Sequence, residues 1–373
     1  MSEKLRFRLF AHSWVSDWNH GNAHFLRGLA RELVRMGHDV RCYEELGAWS
    51  VRNLVLEGKA GAAEIDEFRK TYPELDVRFY QRGESLGPLL DEELRDANVV
   101  LLHEWSEPEV VNAVLERKGR FRFKALLHDT HHRAYTNPRE ILRFRLDQFD
   151  GVLAFGEALR RIYQNGFGIA RCWTFHEAAD ADVFCPLAIA KQNDIVWIGN
   201  WGDEERTREL MEFLVEPARV LTQRSYRTIV HGVRYPSAAL GELKQAGVEY
   251  RGYLPNLSTP LVYSASRLAL HVPRCQYSNG LSGIPTIRVF EALACGAPLV
   301  CAPWTDEEQL FHSGMDYVVV ENGDAMLGEL EFLLKDDGAR AQLSENGRQA
   351  VLARHTCRHR AEQLMEICRE IRV

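Results

Sequence analysis

The sequence predicts an α/β protein of two doubly wound halves, and three observations predict it. Apolar runs of four to seven residues alternate with amphipathic segments, the βαβα pattern that implies parallel sheets covered by helices. A strand–loop–helix start occurs twice, near residue 5 and again near residue 194. The 373 residues suit two domains better than one. Together these imply two Rossmann-like halves with a cleft between them and a hinge in Asp180–Asn193.

In the first half, Leu5–Ala11 reads as a strand. A polar loop from Ser13 to Asn22 follows, carrying Trp14, Trp18, His20 and Gly21. Next comes a helix to about Met36 closed by Gly37, then a strand at Asp39–Tyr43. Residues 44 to 98 are less regular, with a weak strand near Asp76–Tyr80. Further strands are predicted at Val99–His103, Phe123–His128, Gly151–Ala154 and Arg171–Thr174. In the second half, Asp194–Ile198 is a strand, Gly199–Gly202 a turn, and Asp203 or Glu204 opens a helix. Strands follow at Arg227–His231, Leu268–Val272, Pro298–Ala302 and Tyr317–Val320, and two polar helices close the chain at Gly338–Ala353 and Cys357–Arg372.

Composition bounds the function. The chain is 46% hydrophobic and 27% charged, a globular balance, and its net charge of −7 leaves no nucleic-acid footprint. No apolar run is long enough to span a membrane, and Met1–Phe7 lacks the apolar core of an export signal, so a cytoplasmic protein is expected. The eight cysteines are scattered with no C-x-x-C pair, which fits reduced thiols, Cys42, Cys295 and Cys301 among them in apolar surroundings.

The segment Ile284–Val300 carries the sharpest chemistry. It reads as a short helix that starts after Pro285 and stops at Gly296, before a buried strand. Ile287, Phe290 and Ala294 share an apolar face, and Glu291 sits at its edge, where a carboxylate needs hydrogen-bond donors. N–H groups near Thr286 and Ile287 favour an anion. One helix thus offers a phosphate site and, a turn further in, a hydroxyl-binding carboxylate, which suits a nucleotide-sugar; structural capping by Glu291, or a buried pair, is the alternative. Gly199, Asn200 and Trp201 lie at a strand–helix turn that can approach phosphate closely. Arg206, one turn into the following helix, and Arg274, after a strand, are candidate phosphate ligands, with a solvated ion pair the plain alternative for Arg206.

His128-Asp-Thr-His-His-Arg133 follows a buried strand, and His103-Glu104 ends its neighbour. His128, Asp129 and His131 are candidate catalytic groups. Convergence of His103, His128 and His131 on zinc is the alternative, but no cysteine motif supports it, and no metal is expected. Gly21 permits a tight approach in the first loop and Asn22 can cap the next helix. Trp14 and Trp18 form either an acceptor platform or core packing. Glu177 either holds hinge backbone or lies at the cleft floor.

On Ile284–Val300, Asp180-Ala-Asp-Val-Phe-Cys-Pro186, Tyr250–Pro255, Ser264-Ala-Ser-Arg-Leu268, Asn346-Gly-Arg348 and the terminal helix, the chain resembles the group 1 glycosyltransferases of GT-B fold, in particular a spore-maturation-type branch. The resemblance is strongest over 175–373, moderate over 100–175 and weak before that. It implies an N-terminal acceptor domain over 1–188, a donor domain over 189–355, and a helix at 356–373 crossing back to the N-terminal domain. It implies that Glu291, the second Glu of a Glu-x7-Glu pattern, holds the ribose, while Gly283 stands where the first would fall. It implies that Gly232, Tyr253, Leu254 and Pro255 line the base pocket, that His128 lies near the donor sugar, and that the His20-Gly21-Asn22 loop faces the leaving diphosphate or the acceptor. A retaining, metal-independent transfer follows from it, from a UDP-type donor and without cofactor, to a glycan, lipid or small-molecule acceptor, with peripheral membrane association as a further expectation. The other readings are a silent nucleotide-sugar-binding protein and an epimerase or phosphorylase of the same fold. A dinucleotide oxidoreductase is disfavoured by the missing G-x-G-x-x-G.

Overall fold

The computed structural model of the chain describes residues 4–202 and 206–373. Asp203 and Glu204, expected to open a helix, lie outside the described residues. The chain divides into two compact units: unit 1 is the chain up to Asp180 together with Cys357–Val373, and unit 2 is Ala181–Thr356.

Unit 1 is built on strands β1 (Arg6–Phe10), β2 (Asp39–Glu45), β3 (Asp76–Tyr80), β4 (Val99–His103), β5 (Lys124–Asp129), β6 (Gly151–Ala154) and β7 (Cys172–Thr174). All pair in parallel, in the order β3-β2-β1-β4-β5-β6-β7. Helices on both faces explain why β4 is Val-Val-Leu-Leu-His with every residue buried rather than alternating. Arg8 interrupts the apolar run of β1 yet is fully buried, because its guanidinium donates to the Glu93 carbonyl (3.0 Å), the Phe7 carbonyl (3.0 Å) and Asp96 Oδ1 (3.3 Å). The helix Ala23–Arg35 ends at Gly37, whose φ of +91° continues the chain in the left-handed region.

Residues 44–98 are more ordered than expected. They hold the helices Trp49–Leu56, Lys59–Thr71 and Leu86–Glu93 around β3. Each of the first two buries only two residues, Ser50 and Leu54 in one and Gly61 and Phe68 in the other, so neither shows a wide apolar stripe in sequence. The last helix, Cys357–Glu370, packs along Ala23–Arg35. A Cβ on Gly28 would stand 2.5 Å from Cys357 Sγ, so that contact requires glycine.

Unit 2 carries β8 (Asn193–Ile198), β9 (Thr228–His231), β10 (Glu249–Tyr250), β11 (Ser266–His271), β12 (Leu299–Cys301) and β13 (Val318–Val319), all parallel in the order β10-β9-β8-β11-β12-β13. Ile195, Trp197, Leu268, Leu270 and Val300 from the strands meet Leu214, Leu221, Leu330 and Leu334 from the helices in one core. Each sheet reverses direction of growth once, at β1/β4 in unit 1 and at β8/β11 in unit 2. Ligands of doubly wound sheets bind outside the carboxyl ends of the strands at such a point. His103 ends β4 and His271 ends β11, so both sheets present a histidine there.

Candidate functional site

In unit 2 the carboxyl edge is shaped by glycines. A Cβ on Gly232, at φ +151°, would stand 1.9 Å from the Gly199 carbonyl oxygen, and one on Gly199 would stand 2.7 Å from the Trp197 ring. The loops after β8 and β9 therefore touch backbone to backbone. Gly199 N–H donates to the His231 carbonyl (2.9 Å) and Gly232 N–H to the Gly252 carbonyl (2.8 Å). Tyr235 Oη donates to the Gly199 carbonyl and Tyr250 Oη to the Gly232 carbonyl, each at 2.8 Å. Asn200 Oδ1 accepts from Val233 N–H (3.0 Å), so its side chain pins the loop. Trp201 is buried, with Nε1 donating to Thr207 Oγ1 (2.9 Å). Tyr253, Leu254 and Pro255 lie half-buried in the loop after β10.

Arg206 departs from expectation. It precedes the helix Thr207–Leu210 rather than lying a turn inside it, and its guanidinium donates to the carbonyls of Val272 and of Asn200 (3.2 Å) while stacking 5.3 Å from the Trp197 ring. It ties the loop after β11 to the loop after β8. Arg274, half-buried, occupies the N-cap position of the short helix Cys275–Asn279.

The helix predicted after Pro285 spans Ile287–Ala294, and Ile287, Phe290 and Ala294 are buried as its spacing requires. Thr286 is its N-cap residue but makes no capping bond; its hydroxyl instead meets His271 Nε2 at 3.0 Å. The helix start is thereby fixed against the end of β11. Burial, with the Arg206 charge second, holds the His271 imidazole down at about 3, so it is neutral at pH 7. Glu291, one turn into the helix, is fully buried, and its Oε2 accepts from Arg288 Nη1. Gly283 has φ +84°, and a Cβ there would stand 3.2 Å from Glu307 Cβ. A glutamate at 283 does not fit this backbone.

In unit 1 the carboxyl edge gathers histidines from three strands. The His12 and His20 rings are 4.0 Å apart, and each lies 5.7 Å from the His103 ring. Trp105 N–H donates to His103 Nδ1 (3.3 Å), which places the proton on Nε2, and Nε2 meets Thr130 Oγ1 at 3.1 Å. Thr130 Oγ1 also accepts from Asn22 Nδ2 (2.7 Å), which leaves the Thr130 O–H to donate. Asn22 thus makes no capping bond to the following helix; it bridges to β5's end. Arg133 stacks 3.9 Å from the Trp105 ring and pairs with the fully buried Glu104. The His131 ring lies 5.0 Å from Trp105.

Burial lowers His12 to about 3, with Arg133 contributing, and holds His20 and His103 well below their ordinary value. A set of neutral imidazoles with one indole and one hydroxyl suits sugar hydroxyls, which both donate and accept. His128 and Asp129 turn inward. The His128 ring packs edge-on to Phe25 and Phe175 and lines a cavity of about 10 Å³ with Leu9, Trp14, Leu101 and His103, room for one water. Asp129 accepts from Tyr163 Oη (2.6 Å) and His131 N–H (3.0 Å), and burial pushes its carboxyl up to about 7. Trp14 is core, while Trp18 is half-buried with Nε1 on Glu57 (2.9 Å). Glu177 is buried just before the unit boundary. Among the described residues no group of three or more His, Cys, Asp or Glu side chains is arranged to hold a metal ion.

His12, Trp105 and Thr130 were not expected here. The available signal was position: each stands one to two residues beyond a strand of the central pair or its neighbour, where a parallel sheet exposes the residues next in the chain.

Residues 206–366 match the family model described as Glycosyl transferase-like. No curated protein sequence matches at a significant level. Among solved structures the chain is similar to a glycosyltransferase from Rickettsia africae ESF-5 (12% identity, TM-score 0.68, covering 99% of each chain). It is similar to Anabaena HepE in complex with UDP and glucose (14% identity, TM-score 0.70, covering 97% of this chain and 99% of that one). It is also similar to sucrose-phosphate synthase from Thermosynechococcus elongatus (13% identity, TM-score 0.64, covering 99% of each chain). The match to the Glycosyl transferase-like model covers residues 206–366 alone, and the two parallel-sheet units have the fold of the GT-B structures they resemble.

Proposed function

We propose that the chain transfers a sugar from a UDP-type nucleoside diphosphate sugar to an acceptor hydroxyl, with retention of configuration, without an essential metal or cofactor, as a cytoplasmic enzyme of the spore-maturation-type branch. The observation that carries the reading is the helix Ile287–Ala294. Its start is fixed to the end of β11 through Thr286 and His271, and a fully buried carboxylate, Glu291, stands one turn inside. A helix N-terminus favours a phosphate by up to about 2 kcal/mol in partly buried geometry. A ribose hydroxyl bonded to a carboxylate adds roughly 1.5–3 kcal/mol. Neutral His271 is able to donate or accept beside a phosphate but brings no charge of its own. In this reading Gly199, Gly232 and Tyr253–Pro255 admit the nucleotide backbone-first, Pro285–Ile287 take the diphosphate, and Arg274 faces it; Arg206 acts by holding the two loops. UDP as the nucleotide is supported by the HepE structure, which holds UDP and glucose.

Unit 1 is the acceptor unit in this reading. His12, His20, His103 and the Thr130 hydroxyl bind acceptor or sugar hydroxyls, and Trp105 offers an aromatic face. His128 and Asp129 position these groups from beneath. The bond from the anomeric carbon to the β-phosphate oxygen breaks, the acceptor oxygen bonds to that carbon on the same face, and its proton passes to the departing phosphate. The protein supplies positioning and electrostatics. Eight unpaired cysteines fit a reducing compartment.

The test is a thermal-shift series with UDP, GDP, ADP and dTDP, with and without EDTA, on the wild type and Glu291→Ala. UDP at a hundred times its Kd stabilises by about 2.7 kcal/mol. The reading expects a shift with UDP, indifferent to EDTA and absent in Glu291→Ala. A shift abolished by EDTA contradicts the metal-free part, and no shift with any nucleotide contradicts the donor site.

A further inference from the structure

The loop between β1 and the helix Ala23–Arg35 carries His20 and has no regular structure, yet two fully buried charged side chains fix its backbone. From the helix comes Arg27. Its Nε donates to the Trp14 carbonyl (2.7 Å), Nη2 to the Val15 carbonyl (3.2 Å) and Nη1 to Asp17 Oδ2 (3.1 Å). From the sheet comes Glu44, the last but one residue of β2. Its Oε2 accepts from Val15 N–H (2.8 Å), and the N–H groups of Trp14 and Ser16 are turned to the same carboxylate. Consecutive N–H groups converging in this way favour negative charge. The Asp17 carbonyl then accepts from His20 N–H (3.0 Å), and left-handed Asn19 (φ +55°) turns the chain between them. The His20 ring is thereby set 4.0 Å from the His12 ring and 5.7 Å from the His103 ring.

A carboxylate is out of place where Glu44 stands. Strand alternation puts it on the same face of β2 as buried Cys42, one step beyond the pairing of Phe10 with Tyr43. The Arg27 charge is near, but its N–H groups are taken by the loop. Burial therefore prevails and pushes the Glu44 carboxyl up to about 7. The other groups acting on it are Cys42 on β2 itself and Tyr80 on β3, and burial raises both, so neither ionises near neutral pH. Glu64, on the helix Lys59–Thr71, faces Arg27 and Asp17, and burial pushes it up to about 7 as well. An ionised Glu44 costs the fold stability at neutral pH, which an apolar side chain would not. What it does that an apolar side chain cannot is hold the N–H groups of the loop.

We propose that Glu44 is a positioning residue for the acceptor side of unit 1: its ionised carboxylate gathers the N–H groups of Trp14, Val15 and Ser16 and, through Asp17, aims His20 at the hydroxyls bound there. The proposal rests on the reading of His12, His20 and His103 as the acceptor site. Glu44 itself touches no substrate. When its carboxyl takes a proton, the bonds from the loop lose their charge assistance, which roughly halves their strength. The loop then relaxes, so His20 is best placed above the Glu44 midpoint of about 7.

The experiment is an NMR titration of the full-length protein between about pH 5.5 and 8.5, following histidine ring and valine amide signals. Burial holds His20 well below its ordinary value, so its ring stays neutral over this range and a moving signal reports a moving environment. The expected result is that the His20 ring and the Val15 N–H move together, with one midpoint near 7. The His20 movement is lost in Glu44→Gln and kept in Glu64→Gln. With UDP-glucose as the probe, Glu44→Gln lowers turnover about tenfold above the midpoint and flattens its pH profile, while UDP affinity stays at the wild-type value. Different midpoints for His20 and Val15, or an unmoved His20 signal, overturns the proposal in the wild type alone, whether or not the variant folds. The same titration in Glu44→Gln overturns it too. So does a parallel loss of turnover and UDP affinity, because the substitution then acts through the fold at large. A wild type that does not turn over any nucleotide-sugar contradicts the functional reading, and the NMR signals still decide the role of Glu44.

Discussion

Replacing His271 with glutamine isolates that residue's share of the chain's pH dependence. His271 is buried at the end of β11, and burial, helped by the Arg206 charge, lowers it to about 3, against an ordinary value of 6.5. The unfolded chain therefore binds a proton below pH 6.5 that the folded chain does not. Stability from this group is complete above pH 6.5 and is lost progressively as pH falls toward 3. One pH unit below 6.5, the loss is about 1.4 kcal/mol. Glutamine keeps a side-chain nitrogen within reach of Thr286 Oγ1 and does not titrate. Urea unfolding of both proteins at pH 7.5 and 5.5 measures the effect. On acidification the wild type should lose about 1.4 kcal/mol more than His271→Gln. The difference matters because buried Glu44 and Asp129, both raised to about 7, gain stability on acidification and mask the total. An equal loss in the two proteins, or a greater loss in the variant, would refute the assignment of a neutral, desolvated imidazole beside the helix start.

Other perturbations test the same contacts. Gly28→Ala forces a methyl to within 2.5 Å of Cys357 Sγ and 2.8 Å of Asp180 Cβ and should cost about 1–3 kcal/mol, seen by calorimetry and relieved in part by adding Cys357→Ala. Gly241→Ala, in a helix interior with nothing within 4 Å of the new Cβ, should instead stabilise by about 0.5–1 kcal/mol. Glu291→Gln keeps the side-chain volume but removes the charge, and should weaken UDP binding by titration calorimetry roughly tenfold to a hundredfold, the equivalent of one charged hydrogen bond. Thr130→Val should reduce turnover while leaving UDP affinity at the wild-type value, with Thr130→Ser restoring activity; unchanged turnover in Thr130→Val removes that hydroxyl from the acceptor side.

The architecture was legible because buried parallel strands announce themselves. Val99–His103 and Gly151–Ala154 read from sequence with the bounds they have in the fold, since both faces must be apolar. The stretch 44–98 was not legible: its helices bury two or three residues each, and the Trp49–Leu56 helix shows solvent a face that resembles a core face. At the site, Glu291 and the helix from Ile287 came from periodicity and punctuation alone. Arg206 was misplaced because its partners, the carbonyls of Asn200 and Val272, are brought together only by the β8/β11 pairing. Position at a strand end makes His128 a candidate catalytic group but does not fix where its ring points. Its direction is set by Phe25 and Phe175, which are distant in sequence. Asn22 likewise bonds Thr130, more than a hundred residues away, instead of the adjacent helix.

The most direct test of the central claim is turnover of UDP-glucose by the purified full-length chain, with released UDP and the anomeric configuration of the freed or transferred sugar followed by NMR. The account predicts UDP release that EDTA does not alter, a product of retained configuration, and loss of both in Glu291→Ala at unchanged circular dichroism. Failure to bind or cleave any of the UDP, GDP, ADP and dTDP sugars would contradict it, as would full activity in Glu291→Ala.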